Sequence, residues 1–301
     1  MSRNGPPRIV VTGGSGTIGS ELLRLLSARG VAVRGLSRRP GSGAALPGVE
    51  WVAGDLADRD ALPGLFAGAE RLFLLAGNVA DAVRLQKNAI AAAKKAGVLH
   101  VVKLSALGAS DHSQSVIGLW HWIVERELAA SGMAWTFLRP HHFMQNLLDQ
   151  RRAVAAEGVV RSAAGDGRIP FIDTRDVAAV AAEVLTGAGH GGKIYALTGP
   201  EAFSYRDATA LLAEAIGRPL VYVAETPDEH RVRRRAAGDP EWSIAAQLAI
   251  AAYQRAGGPT EATTATVEEV TGRPPRSFRV FARDHAESFA QPSSTPPSVI
   301  A

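Results

Sequence analysis

Thr12-Gly13-Gly14-Ser15-Gly16-Thr17-Ile18-Gly19 constrains the fold of this chain more than any other stretch, because it lies between an apolar run from Arg8 to Val11 and the helical rhythm of Glu21 to Ala28. A short strand, a tight turn with glycines at 13, 16 and 19, and a helix N-terminus together make an anion site. Glycines let the backbone approach a diphosphate closely, and the first N–H groups of the helix, with the positive end of its dipole, attract it. Glycines also recur in ordinary turns. The dinucleotide reading therefore rests on the strand before, the helix after, and the strand and helix signals that continue downstream. Gly13, Ser15, Gly16, Thr17, Ile18 and Gly19 are the candidate diphosphate contacts.

A chain of 301 residues can bury a core large enough for a nucleotide domain with a smaller lobe. With 46% hydrophobic and 21% charged residues it reads as globular rather than disordered. The formal charge of +4 raises nucleic acid as a partner, but the only dense basic run is Arg231, Arg233, Arg234 and Arg235. No zinc-finger spacing or aromatic-studded basic sheet accompanies it, so it reads as a solvated helix face and no nucleic-acid partner is expected. The absence of cysteine excludes disulfides, thiolate metal sites and cysteine nucleophiles. The first apolar run stops at Thr12-Gly13, too short for a signal-peptide core, and no stretch approaches membrane-spanning length. A soluble cytoplasmic protein, monomeric or homodimeric, is the expectation.

Strand and helix signals alternate six times. Val31 to Leu36 reads as the second strand and ends at Ser37-Arg38-Arg39, near where an acid would bind the adenosine ribose. Two guanidinium forks there suit a 2′-phosphate, so NADP(H) is favoured over NAD(H). Val49 to Ala53 is the third strand, followed by Asp55 and Leu56, with Asp55 placed to accept from the adenine amino group and Asp58 to cap the next helix. Arg71 to Leu75 is the fourth, and the small residues Ala76 and Gly77, with Asn78, leave room for the nicotinamide half. A helix over Ala80 to Ala96, a strand over Val98 to Leu104 leading into Ser105, a helix over Val116 to Ala130 and a strand over Ala134 to Leu138 follow. The expected fold is α/β, a doubly wound parallel sheet of Rossmann type with a smaller, mostly helical C-terminal substrate lobe. Residues 1–150 form the dinucleotide-binding domain, with 170–200 packing back onto its sheet; 151–290 form the interleaved smaller lobe, and 291–301 a disordered tail rich in Pro and Ser.

The chain resembles the NmrA-like branch of the atypical short-chain dehydrogenases/reductases. The resemblance runs through the glycine turn, Leu138-Arg139-Pro140-His141-His142-Phe143-Met144-Gln145-Asn146, Pro170-Phe171-Ile172-Asp173-Thr174-Arg175-Asp176-Val177-Ala178, Thr198-Gly199-Pro200-Glu201 and Thr271-Gly272-Arg273-Pro274-Pro275. It implies a Rossmann domain, NADP(H) as ligand, and a choice among quinone, aldehyde and phenolic-compound reductases or cofactor-binding regulators without turnover.

Relatives use a tyrosine to protonate the substrate oxygen and a lysine four residues later to hold the nicotinamide ribose. In the register that the resemblance implies, these positions fall on Ile117 and His121, with Glu125 one helical turn beyond. His121 is a candidate acid, since imidazole titrates near neutrality, and equally a ribose contact. Ser105 stands where relatives place a donor to the substrate oxygen. Pro140 and Phe143 complete the cofactor list, and Leu107, Trp120, His142, Phe143, Met144 and Asn146 are candidate substrate contacts, their apolar character indicating a hydrophobic ligand. Trp122 is read as core, Glu125 as the partner of an arginine, and His285 as a packed helix residue. Adjacent His141 and His142 diverge and have no third ligand at matching spacing, so no metal is expected. The leading reading is an NADPH-dependent reductase of a hydrophobic carbonyl, enone or quinone. A cofactor-occupancy sensor and a redox-neutral cyclase or isomerase are the alternatives.

Overall fold

The computed structural model describes residues 9–39, 41 and 43–290. Arg8, at the start of the first apolar run, and the tail from Gln291, expected to be disordered, lie outside the described residues. In chain order the elements are β1 (Ile9–Val11), α1 (Thr17–Ala28), β2 (Val33–Ser37), β3 (Val49–Ala53), α2 (Leu62–Leu65), β4 (Arg71–Leu74), α3 (Ala82–Lys95), β5 (His100–Leu104), α4 (Val116–Ala129) and β6 (Ala134–Pro140). A 3₁₀ turn over Met144–Gln150 leads to α5 (Arg151–Glu157), β7 (Val159–Ser162), α6 (Thr174–Thr186), β8 (Lys193–Leu197), α7 (Tyr205–Ile216) and β9 (Val221–Ala224). The chain continues through α8 (Pro227–Ala236), α9 (Glu241–Ala256), α10 (Thr266–Thr271), α11 (Phe278–Asp284) and α12 (Ala286–Ala290).

Seven strands form one parallel sheet in the order β3-β2-β1-β4-β5-β6-β8. The chain runs outward from β1 to β3, then crosses back to β4, so the strand order reverses between β1 and β4. Ligands of open α/β sheets bind at the strand carboxyl ends beside such a reversal. Helices cover both faces, as an all-parallel sheet requires. On one face Leu22, Leu23 and Leu26 of α1 pack with Val177, Val180, Val184 and their neighbours on α6. On the other, Ala89 and Ile90 of α3 and Val124 and Leu128 of α4 pack over Val101 and Phe137. Full burial of such a side chain stabilises by about 1.5–3 kcal/mol.

A third apolar cluster, including Met144, Phe171, Phe203, Tyr205, Phe278 and Phe281, lies between α5, α7, α11 and α12 and a small parallel pair, β7 with β9. Strand β7 is absent from the sequence reading. It is four residues long with Arg161 inside it, and pairing with β9, Val159 opposite Val221, is what makes it a strand. The motif from Pro170 to Ala178 acts as a staple here. Asp173 caps α6 and accepts from Gln145 at 2.9 Å, Arg175 bridges Asp173 and Asp284, and Asp176 pairs with Arg276. These contacts tie α6, on the large sheet, to the C-terminal helices.

Candidate active site

Backbone builds one end of the site. Gly13 has a φ of +64°, a left-handed conformation that L side chains rarely adopt. Gly19, in the first turn of α1, lies so close to it that a Cβ would sit 2.2 Å from the Gly13 carbonyl oxygen. Gly16 is the N-cap of α1 and no side chain caps that helix, which leaves its first N–H groups for an anion. The cradle therefore fits a diphosphate, because any Cβ at 19 would fill it. Thr12 fixes it to the strand reversal, its Oγ1 donating to the Leu75 carbonyl and accepting from the Leu75 N–H, both at 2.8 Å. Ala76, Gly77 and Asn78 follow, half-buried.

At the adenosine side, Ser15 and Ser37 hydroxyls meet at 3.2 Å, and the Arg39 N–H donates to Ser37 Oγ at 3.2 Å. Arg38 and Arg39 are exposed at the end of β2. Asp55 is also exposed, and one of its oxygens accepts from the Ala57 N–H at 2.8 Å, so part of its capacity is spent on a turn. Leu56 is held by Asn88 of α3, which donates to its carbonyl at 3.0 Å and has no counterpart in the sequence reading.

Side chains build the other end. Lys103, in β5, is completely buried, and its Nζ donates to the Leu104 carbonyl at 3.0 Å and to His121 Nδ1 of α4 at 2.9 Å. Loss of solvent lowers the Lys103 amine to about 7, with the Glu125 carboxylate opposing and the Arg139 guanidinium adding to the drop. The same loss of solvent, then Lys103 and Arg139, holds the His121 ring well below the usual histidine range. His121 is therefore neutral at neutral pH, a correction to the expectation that it titrates there as a free-standing acid.

Ser105 is corrected in a similar way. Its hydroxyl donates to Glu125 Oε1 at 2.6 Å, because a nearly fully buried carboxylate needs donors. That proton is not directed at a substrate oxygen. Arg139 of β6 completes the group, donating from Nε to Glu125 Oε1 at 2.9 Å and pairing with Oε2. A depression lined by Ile9, Val33, Arg34 and Glu50 lies at the amino ends of β1 and β2, away from all of these groups.

Residues 13–188 match the family described as NAD(P)H-binding. The chain belongs to that family. It is 39% identical over 287 residues to the NAD(P)H azoreductase of Xenophilus azovorans, covering 93% of this chain and 99% of that protein. It is 38% identical over 284 residues to a (4-alkanoyl-5-oxo-2,5-dihydrofuran-3-yl)methyl phosphate reductase of Streptomyces griseus, covering 94% and 99%. Among solved structures, the NADPH complex of the Escherichia coli quinone oxidoreductase QOR2 superposes with a TM-score of 0.81 at 29% identity, covering 91% of this chain and 98% of that one. These agree with the family that the motifs resemble and with a reduced dinucleotide as its ligand.

The remaining sequence-derived positions divide into two groups. Leu107 and Pro140 meet where β5 and β6 end, the Leu107 N–H donating to the Pro140 carbonyl at 3.0 Å. Phe143 bridges to Ile172 and packs on the sheet core. Trp120 is half-buried and meets Trp242 of α9 with ring centroids 5.1 Å apart, a partner that no local pattern signals. Trp122, expected in the core, instead keeps part of its surface open and has the Arg126 guanidinium 5.7 Å from its ring centroid.

The second group turns toward the C-terminal helices. Met144 is wholly buried in their apolar cluster and has no surface for a ligand, which removes it from the substrate contacts. His142 Nε2 meets the Tyr205 hydroxyl at 2.9 Å and Asn146 Nδ2 at 3.3 Å, and its ring packs edge-on to Phe171. Burial pushes His142 down to about 3 and His141 to about 4, so both are neutral. His142 and Asn146 thus engage each other, His142 also meets Tyr205, and both stay partly exposed. Among the described residues, no cluster of three His, Asp or Glu is arranged to hold a metal, and no helix is long and apolar enough to cross a membrane.

Proposed function

We propose that this protein is an NADPH-dependent reductase that directs hydride to a hydrophobic, conjugated acceptor such as a quinone, enone or other activated carbonyl. The observation that supports this best is the juxtaposition, at the carboxyl ends of one parallel sheet, of an uncapped glycine cradle and a buried lysine hydrogen-bonded to a histidine. The similar proteins strengthen it. An azo group, a quinone and an alkanoyl-dihydrofuranone share an electron-poor π system, and each similarity spans nearly the whole chain. When bound, the dihydronicotinamide supplies the hydride.

In this reading residues 1–150, with 170–200, hold the cofactor, and 151–290 supply the far wall of the cleft. The glycine turn binds diphosphate, Ser37, Arg38 and Arg39 take the 2′-phosphate, and Asp55 and Leu56 border the adenine. Ala76, Gly77, Asn78, Pro140 and Phe143 border the nicotinamide half. Leu107 and the Trp120–Trp242 pair present apolar surface to a flat acceptor. Ile117 and His121 stand at the positions where related reductases carry tyrosine and lysine, so the proton follows another route. We place the reaction in the cytoplasm, where NADPH is regenerated.

The test is the loss of dihydronicotinamide absorbance on mixing the protein and NADPH with a panel of quinones, enones, aldehydes and azo dyes. Turnover with at least one conjugated acceptor is expected. Tight NADPH binding with no oxidation across the panel would replace this reading with a cofactor sensor, and product formation at constant NADPH absorbance with a redox-neutral enzyme.

A further inference from the structure

We propose that Lys103 is the proton reservoir of this reduction and that His121 relays its proton to the acceptor. The inference rests on the reductase reading and adds the proton path that reading lacks. A lysine inside a parallel strand is costly, since an unpaired ammonium gives up its hydration there. The surroundings do little to offset that cost. Its Nζ bonds only neutral acceptors, the Leu104 carbonyl and His121 Nδ1. The nearby carboxylate, Glu125, is already engaged by Ser105 and bidentately by Arg139.

The charged and titratable groups around Lys103 are His121 and Glu125 from α4 and Arg139 from β6. Their balance, with burial, brings the amine to about 7, where it exchanges a proton readily. An ammonium has only donors, so His121 Nδ1 accepts and the ring hydrogen resides on Nε2. His121 is only partly buried, so the relay runs from the sealed lysine through His121 to the cleft.

The step balances. As hydride adds to the conjugated acceptor, the electron pair it displaces moves onto the acceptor oxygen, which takes the Nε2 proton of His121. Nδ1 takes a proton from the Lys103 ammonium and leaves a neutral amine; after product release solvent protonates Nε2, and the Nδ1 proton passes back to Lys103. Because His121 is a weak base here, the positive charge does not remain on the ring.

Carbon NMR of the protein labelled at lysine ε-carbons tests the reservoir without turnover. Lys87, Lys94, Lys95 and Lys193 are the other lysines. One further resonance is expected to titrate near neutrality, to vanish in Lys103→Met and to shift in His121→Phe. In steady-state assays kcat should fall as pH rises through about 7, because the donor must be protonated. Lys103→Met should remove that limb and lower kcat roughly 10²–10⁴-fold while the NADPH dissociation constant stays unchanged. The absence of any lysine resonance titrating near neutrality would overturn the proposal, as would a Lys103→Met enzyme that keeps the wild-type limb and rate. If the wild type reduces no acceptor yet one lysine titrates near neutrality and responds to His121→Phe, the reductase reading falls and the Lys103–His121 proton coupling stands.

Discussion

The two ends of the cleft are made of different material. The diphosphate cradle is backbone: a left-handed Gly13, a Gly19 with no room for a Cβ, and a helix end with no side-chain cap. The opposite end is side chain, a group of Lys103, His121, Ser105, Glu125 and Arg139 drawn from β5, its trailing loop, α4 and β6, with Lys103, Ser105 and Glu125 buried. The cradle needs space and unpaired N–H groups, which local conformation supplies. Tuning of a proton needs desolvation and opposed charges, which only packed neighbours supply.

The largest expected effect lies at the side-chain end. Glu125→Gln removes the charge that pairs Arg139 and accepts from Ser105, and breaking a buried ion pair costs about 3–5 kcal/mol. Urea unfolding should show a lower midpoint with an unchanged slope. A loss below about 1 kcal/mol would mean that the group behaves like a surface pair and would break the contrast.

Gly19→Ala addresses the cradle. The atom in the way is backbone, so the substitution falls at the upper end of overpacking penalties, about 3 kcal/mol. It should appear in NADPH affinity measured by calorimetry as well as in stability. Affinity equal to wild type would show that the helix end and the turn can separate without harm, so that the cradle is not as rigid as its contacts indicate.

Arg38→Ala combined with Arg39→Ala sharpens the comparison, because at this rim side chains are added to the cradle. Charge-assisted contacts of this kind contribute about 1.5–3 kcal/mol, so NADPH should bind more weakly while NADH is unaffected. Equal affinity of the wild type for both cofactors would remove the 2′-phosphate assignment.

What was legible follows the same division. Strand β3 is found with the limits its residue pattern indicates. Asp58, expected to cap the next helix, instead accepts from the Ala61 N–H at 3.1 Å in the turn before α2, whose N-cap is Ala61 with no side-chain cap. The basic run of α8 is read as a solvated face, and its four arginines are each paired with an acid, Asp228, Glu225, Asp239 or Glu241. Lys103 went unmarked because a lone lysine in Val101-Val102-Lys103-Leu104 looks like a strand edge. The available signal was its place within an apolar run of a sheet buried on both faces.

Met144 shows the opposite error. An apolar and aromatic stretch after the sixth strand reads as a cleft floor, yet the 3₁₀ turn over Met144–Gln150 rotates Met144 into the cluster around Phe171. Nothing in the local pattern distinguishes those two orientations.

By itself the sequence determined the strand, glycine turn and helix of the cradle, the alternation that makes the sheet parallel, and the arginines at the end of β2, since each depends on neighbours along the chain. Tertiary structure alone decided which groups lose water together. Only when β5 lies between β4 and β6 and α4 packs over them does Lys103 become sealed beside His121, with Glu125 committed to Arg139. Proton affinity in such a group is set by distance and desolvation, and both are properties of residues far apart in sequence.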